Sequence, residues 1–357
     1  MVLNQHFIQD FIRSGSIITL DAHRVLIGWG KRSLVKDPAK ISGPVFYFPD
    51  FFLKNESQWY VHEHWKETDL SNLQLHVSAQ ISSISKPAEI HWTCPYHEVF
   101  RSAFHDLQHR FGRGELQKAV PYVFMETPNH MDMLRLAFAL DNLLKYAVIH
   151  PVYLYGCWDR VEGILGATPE LLFRLRNHPV PILETMACAG TCATNHEDTL
   201  DNPKELHEHQ LVVQGITESL DSYGEVCPKP LELLKLPNLT HLVTPIQVKL
   251  DHPIAFESAV RALHPTPALG AFPKAKGNLW LNNYQTKIAR KRFGAPVGFM
   301  HNQGSVGNCY VAIRNVQWDE KGMKIGAGCG IVSESRPEKE WQEIQLKHHA
   351  IRNMMSL

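Results

Sequence analysis

Between residues 95 and 111 apolar side chains recur at threes and fours: Val99, Phe100, Ala103, Phe104, Leu107 and Phe111. That spacing predicts a helix with one buried face. A turn at Gly112-Arg113-Gly114 follows, and LQKAVPYVFME then predicts a strand. Further strands are predicted in PVYLYG, ELLFRL, PILETMACAG, YVAIRNVQW and MKIGAGCGIV, and helices near 202–222, 253–263 and 337–355. The first ninety residues read as short strands and turns (SIITLDAHRVLIGWG, GPVFYFPDFF, NLQLHVSAQISSIS) that form scaffold without assignable chemistry. Strands and helices do not alternate regularly, so the pattern predicts an α+β fold in place of a doubly wound parallel sheet. The Pro- and Gly-containing stretch 264–277 holds too many apolar residues for a flexible linker.

A chain of 357 residues, 44% hydrophobic and 20% charged, is long enough for one large domain or two ordinary ones. Lys plus Arg equals Asp plus Glu at 36 each, so no surplus of positive charge argues for nucleic acid or an anionic membrane as partner. A small anionic substrate needs only local charge. The segment MVLNQHFIQDFIRSG lacks a basic region followed by an apolar run, and no stretch reaches the roughly 20 apolar residues of a membrane helix. These features predict a soluble, unprocessed protein. Seven scattered cysteines without a C-x-x-C pair suit a reducing cytoplasm. The histidine pairs His207-Glu208-His209 and His348-His349 lack the i, i+4 spacing of a helical zinc clamp.

The helix predicted near 202–222 opens with Asp201 or Asn202 as N-cap and Pro203 in its first turn. Its apolar stripe runs through Val212, Val213, Ile216 and Leu220, and four and seven residues before Val212 the same stripe carries Glu208 and Glu205. The C-terminal helix repeats the arrangement, with Glu340, Glu343 and Lys347 on the stripe that continues through Ile351 and Met354. Four converging carboxylates repel one another unless a cation sits among them, and an all-oxygen donor set favours Mg²⁺, Ca²⁺ or Mn²⁺. The alternative is that these are first-turn glutamates facing solvent, favoured there by the helix dipole.

Three small-residue segments could frame an anionic ligand. Gly166-Ala167-Thr168-Pro169-Glu170 joins two predicted strands, Ala189-Gly190-Thr191 ends another, and Gly326-Ala327-Gly328-Cys329-Gly330 precedes the acidic helix. None is a G-x-G-x-x-G or phosphate-loop motif, so no nucleotide site is indicated.

Six blocks in this order resemble the chorismate-utilising family that includes anthranilate, aminodeoxychorismate, salicylate and isochorismate synthases. They are LQKAVPYVF, GATPELLFRL, ETMACAGT, KELHEHQLVV, LHPTPALGAFP with its downstream RKRFGAPVGF, and VAIR followed by GAGCGIVSESRPEKEWQEIQLK. The resemblance covers roughly residues 95–350. It implies a single α+β chorismate-binding domain with two large facing β-sheets flanked by helices, the active site between them, and residues 1–90 as a divergent N-terminal part ahead of a catalytic core at 91–357.

The resemblance also implies roles. Glu208 and Glu343 match ligands of a Mg²⁺ cofactor, and Glu205 and Glu340 match acids that hold the ion through water. Arg314 matches the arginine that pairs with the enolpyruvyl carboxylate of chorismate, and Lys347 would help neutralise the ring carboxylate. Further substrate contacts are expected at Gly190, Thr191, His241, Ala268, Leu269 and Gly330. Lys118 matches the general base that activates water, and Glu170 the general acid that protonates the departing C4 hydroxyl. A neutral lysine and a protonated glutamate both require shifted pKa values, which burial favours.

Within the family the blocks look most like isochorismate synthases, which isomerise chorismate. Amine-using members share a P-I-[AK]-G-T block, with lysine in aminodeoxychorismate synthases; here Ala189 stands at the variable position and no proline stands two residues before it. Residues 264–269 (HPTPAL) and Phe293 differ from the usual salicylate-synthase pattern, which leaves salicylate formation as the second reading. A cytoplasmic monomer without a glutaminase subunit follows from the same likeness. Pro121, Tyr122 and Val123 depart from the pattern after Lys118, as do Cys329 and Ala271 in their blocks. Pro121 removes a ladder donor, which predicts a bent or edge strand and a displaced Lys118.

Overall fold

The computed structural model describes the chain except residues 1–4, 55–57, 195–199, 201 and 238. Eight α-helices are described: α1 (Gln5–Arg13), α2 (Leu70–Ile81), α3 (His97–Gly112), α4 (Met133–Ile149), α5 (Pro203–Leu220), α6 (Phe256–Leu263), α7 (Lys274–Tyr284) and α8 (Pro337–Met355). None is long and apolar enough to cross a membrane. The class is α+β, as the pattern predicts.

Among the described residues sixteen strands form one ladder in which neighbours run antiparallel. One arm ends in Gly224–Pro228, Leu239–Leu250, Ile182–Ala193 and Leu171–Arg176; the other ends in Gly163–Thr168, Asn315–Asp319, Gly322–Gly328 and Tyr122–Thr127. Strands from the first ninety residues, among them Arg24–Val35 and Trp59–Asp69, lie in the middle of the path and join the arms. The facing layers expected from the resemblance are therefore arms of a continuous sheet. One hydrophobic core holds Val123 and Ala327 from one arm together with Ala187 and Ile246 from the other.

The first ninety residues are not strands and turns throughout. NLQLHVSAQISSIS lies largely in α2, where Leu70, Leu73, Val77 and Ile81 form the buried face and the Asp69 side chain caps the helix by accepting from the Asn72 amide. Alternation of Leu73, Leu75 and Val77 suggests a strand, but Leu75 is 64% exposed and takes no part in the core. Helix α4 was likewise not anticipated. It buries a broad face through Leu136, Ala137, Leu140, Leu143, Leu144 and Ala147 and packs against α2 and α8, and its apolar residues run nearly unbroken in LAFAL and YAVI, where helical spacing is hard to read.

The strand predicted across LQKAVPYVFME breaks at Pro121. Lys118–Ala119 pairs with Ala271–Phe272 in a separate two-stranded sheet, whereas Tyr122–Thr127 is the terminal strand of the main ladder. The proline thus sits where the chain changes sheets, at an edge, and needs no ladder donor. The strand predicted across YVAIRNVQW also divides, because Arg314 adopts φ 55° and turns the chain between Val306–Val311 and Asn315–Asp319.

Candidate active site

Helix α5 starts where the sequence places it. The Asn202 side chain accepts from the Lys204 amide at 2.7 Å, and Pro203 is the first helical residue; Asp201 lies outside the described residues. Val212, Ile216 and Leu220 are buried, and Glu208 continues that face inward. In α8 the buried face is Glu340, Ile344, His348, Ile351 and Met354. None of the four glutamates faces solvent: the side chains of Glu205, Glu208, Glu340 and Glu343 are 13%, 8%, 4% and 17% exposed. The solvent-facing alternative therefore fails.

These helix starts border a cleft of about 670 Å³, its open mouth included. Eleven of the fourteen candidate residues line it: Glu170, Gly190, Thr191, Glu208, His241, Ala268, Leu269, Arg314, Gly330, Glu343 and Lys347. Glu205 and Glu340 line an adjoining groove that shares Thr191 and Glu343 with the cleft. Lys118 is completely buried beneath Gly330, donating to the Pro267 carbonyl at 2.6 Å and standing 3.3 Å from Glu208 Oε1. It is held from both sides, and the break at Pro121 has not separated it from the cluster.

The cleft carries opposed charges. Burial drives the Glu170 carboxyl up to about 8, against the pull of Lys118, Lys347 and Arg314. Burial likewise lowers Lys118, with Glu208 opposing. Burial also disfavours charge on Glu208, but Lys204 first and then Lys118 hold that carboxyl down to about 2. Burial and then Arg314 keep His241 neutral. Since a guanidinium can only donate, His241 Nε2 accepts from Arg314, which leaves Nδ1–H to donate to Thr191 Oγ1 at 2.9 Å. His241 thus links the arginine to the bend at Gly190-Thr191, where Gly190 has φ 79°. Lys347 donates to Glu343 Oε1 at 2.6 Å and to the Gly328 carbonyl at 2.8 Å, tying α8 to the glycine segment.

A residue the sequence reading did not single out stands at the centre of the acidic cluster. Lys204 Nζ lies 3.0 Å from Glu205 Oε1, 3.1 Å from Glu208 Oε2 and 3.2 Å from Glu340 Oε1. The available signals were a lysine at the second position of a helix, where the dipole disfavours cations, and its i,i+4 spacing to Glu208. Cys188, inside the ACAG block, also lines the cleft and was not named; burial pushes its thiol up to about 12. His209 bonds the Ala189 carbonyl and Thr244, while His207 faces Glu334.

Among the described residues no three His, Cys, Asp or Glu side chains are gathered closely enough to hold an ion as they stand. The donor set nonetheless suits a hard divalent cation. It is all oxygen, an ammonium stands among three of the carboxylates, and the buried Glu340 Oε2 has no hydrogen-bond partner. Glu205, Glu208, Glu340 and Glu343 are the side chains that could take part.

The profile of the family described as "Chorismate binding enzyme" matches residues 51–356. The chain is 34% identical over 214 residues to the salicylate biosynthesis isochorismate synthase of Pseudomonas aeruginosa, covering 57% of this chain and 44% of that one. It is 31% identical over 205 residues to isochorismate synthase EntC of Escherichia coli, covering 54% of this chain and 51% of that one. The match therefore spans about half the length of these curated relatives. The fold superposes on MenF, the menaquinone-specific isochorismate synthase of Escherichia coli, with a TM-score of 0.76 at 18% identity, over 96% of this chain and 88% of that one. With the family profile matched along most of its length and the cleft residues gathered as that family's motifs imply, the chain belongs to the chorismate-binding enzymes.

Proposed function

We propose that the protein is a magnesium-dependent isochorismate synthase, converting chorismate to isochorismate. The observation that carries this reading is the opposed poise of two buried groups, Glu170 raised to about 8 and Lys118 lowered by burial, beside a cleft that also holds Arg314 and Lys347. At neutral pH Glu170 keeps a proton to give, and Lys118 is biased toward the neutral amine that can accept one.

Chorismate carries two carboxylates. The Arg314 guanidinium presents a planar pair of donors for the enolpyruvyl carboxylate, held in orientation by His241. Lys347 stands at the glycine segment for the ring carboxylate, and the backbone around Gly190, Thr191 and Gly330 gives close approach without side-chain obstruction. Ala268 and Leu269 supply apolar wall. Glu208 and Glu343 would hold Mg²⁺, with Glu205 and Glu340 outside them. The ion's chemistry there is charge neutralisation at the ring carboxylate.

In the reaction Lys118 accepts a proton from water as the water oxygen bonds to C2. The ring double bonds shift, the C4–O bond breaks, and Glu170 protonates the leaving hydroxyl, so that one water enters and one leaves. Ala189 in place of the lysine of aminodeoxychorismate synthases, with Ala187 where amine-using relatives carry a proline, supports water as the nucleophile and the absence of a glutaminase partner. We read the protein as a cytoplasmic monomer, with residues 1–90 as scaffold to the catalytic core. The relatives named above include a salicylate-biosynthesis enzyme and a menaquinone-specific one.

Product analysis after incubation of the purified chain with chorismate and Mg²⁺ tests the reading. Isochorismate is the expected product. Salicylate and pyruvate would instead indicate a lyase, and absence of turnover would overturn catalysis.

A further inference from the structure

Lys204 occupies a position that neither helix propensity nor the proposed reaction explains. It is the second residue of α5, where the exposed N–H groups of a helix start repel a cation. Its ammonium nevertheless lies within 3.2 Å of carboxylate oxygens from Glu205, Glu208 and Glu340, on two different helices. The favourable field of those carboxylates outweighs the helix dipole, which amounts to less than one elementary charge.

We propose that Lys204 is a tethered internal cation that fills the acidic cluster in the absence of a divalent ion and is displaced when the ion enters. The inference rests on reading the cluster as the divalent-cation site, and it concerns how that site is loaded. Three observations carry it. Magnesium requires oxygens at about 2.0–2.1 Å on all sides, so it cannot share three carboxylates with an ammonium already seated among them. The lysine also leaves the cluster incompletely satisfied: Glu340 Oε2 is buried and makes no hydrogen bond within 3.5 Å, although the Ser335 hydroxyl bears on the same carboxyl. Finally, an exit exists. Lys204 lines an open groove of about 1330 Å³ together with Glu334, Arg336 and Lys339, and its four-carbon stem can turn the ammonium toward that groove and Glu334.

One consequence is that the ion-free protein is spared the mutual repulsion of four acids, so α5 and α8 stay in register before loading. Another is that the ion binds more weakly than the donor set alone would allow, because each binding event must also expel the lysine.

The test uses the full chain, stripped with chelator and titrated with Mn²⁺ by electron paramagnetic resonance and with Mg²⁺ by calorimetry. Lys204→Met is expected to bind either ion roughly tenfold to hundredfold more tightly than wild type, as removal of one adjacent positive charge implies. Lys204→Arg should keep most of the wild-type weakness. Ion-free Lys204→Met should melt below wild type, and excess Mg²⁺ should close that gap. If it does not fold without metal, wild-type protein decides the matter: acylation of Lys204 by an amine reagent, read by mass spectrometry, should rise severalfold on adding Mg²⁺. Equal or weaker binding by Lys204→Met, or Lys204 labelling that stays flat or falls, overturns the exchange while leaving the cation site standing. Failure of wild type and both variants to bind any divalent ion overturns the cation site and the exchange together.

Discussion

A β-carbon built on Gly330 would stand 1.9 Å from Glu208 Oε1 and 2.9 Å from Lys118 Nζ. The segment entering α8 can therefore lie against both side chains only because residue 330 has none. Glu208 cannot retreat freely, since its carboxylate is 3.3 Å from Lys118 and 3.1 Å from Lys204. Gly330→Ala should cost about 1–3 kcal/mol by overpacking and lower turnover on the order of 10²-fold by displacing Glu208. Thermal melts and steady-state kinetics measure the two effects. Adding Glu208→Asp should recover part of the stability but none of the activity, because the shorter side chain relieves the contact and no longer reaches its place. An unaffected Gly330→Ala enzyme would mean that the segment moves freely.

The raised Glu170 carboxyl makes stability depend on pH in a definite direction. Its pKa is about 8 in the folded chain against an ordinary 4.5, so between those values the native state retains a proton that the unfolded chain has released. Stability must then fall as pH rises through this window, and the loss is complete above about pH 8. At about 1.4 kcal/mol per pH unit the full effect is roughly 5 kcal/mol. Glu340, raised by burial to about 7, acts in the same direction. Denaturation in chelator between pH 5 and 9 should show this slope, and Glu170→Gln should flatten most of it. The same ionisation removes the general acid, so turnover should decline above about pH 8, while Glu170→Gln should block C4 hydroxyl departure yet bind chorismate. A slope unchanged in Glu170→Gln would place the titrating group elsewhere.

How far the chain could be read from its sequence depended on whether periodicity or context fixed each element. Helices α3, α5, α6 and α8 carry one-sided stripes and lie within a few residues of their predicted places. Helix α2 was misread because its polar positions let Leu73, Leu75 and Val77 imitate alternation, and α4 was missed because unbroken apolar runs such as LAFAL mask helical spacing. The site was legible in its residue types, since carboxylates interrupting an apolar stripe signal inward charge. Its internal pairing was not. Whether four acids meet an ion, solvent or a lysine is decided by the approach of α5 to α8: Lys204 meets Glu205 and Glu208 within its own helix, but only that approach brings Glu340 to it. The union of the facing layers into one ladder was equally hidden, because strands from the first ninety residues join the arms only in three dimensions.

Charge at the acidic cluster gives a prediction separable from folding. Glu343 accepts from Lys347 at 2.6 Å, and Glu208 is bound by two lysines. Glu343→Gln keeps the side chain's length and an acceptor oxygen while removing charge, so its stability cost should stay below about 2 kcal/mol. Turnover should nevertheless fall by at least about 10²-fold in Glu343→Gln and in Glu208→Gln, with divalent-cation affinity reduced in calorimetry. Wild-type activity should vanish in chelator and return with Mg²⁺. Full activity in excess chelator would sink the magnesium assignment.

The decisive prediction concerns Lys118, whose amine is buried beside Glu208 and bonded to the Pro267 carbonyl. If Lys118 takes the proton from water, Lys118→Ala should lose on the order of 10²–10⁴-fold in turnover, the range expected for a general base. Chorismate should still bind, because Arg314 and Lys347 keep their positions: His241 holds the one and Gly328 with Glu343 the other. The residual rate should also lose the limb of the pH profile that reports deprotonation of the lysine, which a merely structural residue would leave in place. Lys118→Met fills most of the space without a titratable group and separates a packing defect from a chemical one. If Lys118→Met keeps near-normal isochorismate formation, another group activates the water and the mechanism fails at its first step. If affinity for chorismate falls in proportion to turnover, Lys118 is a contact for substrate charge and not the base.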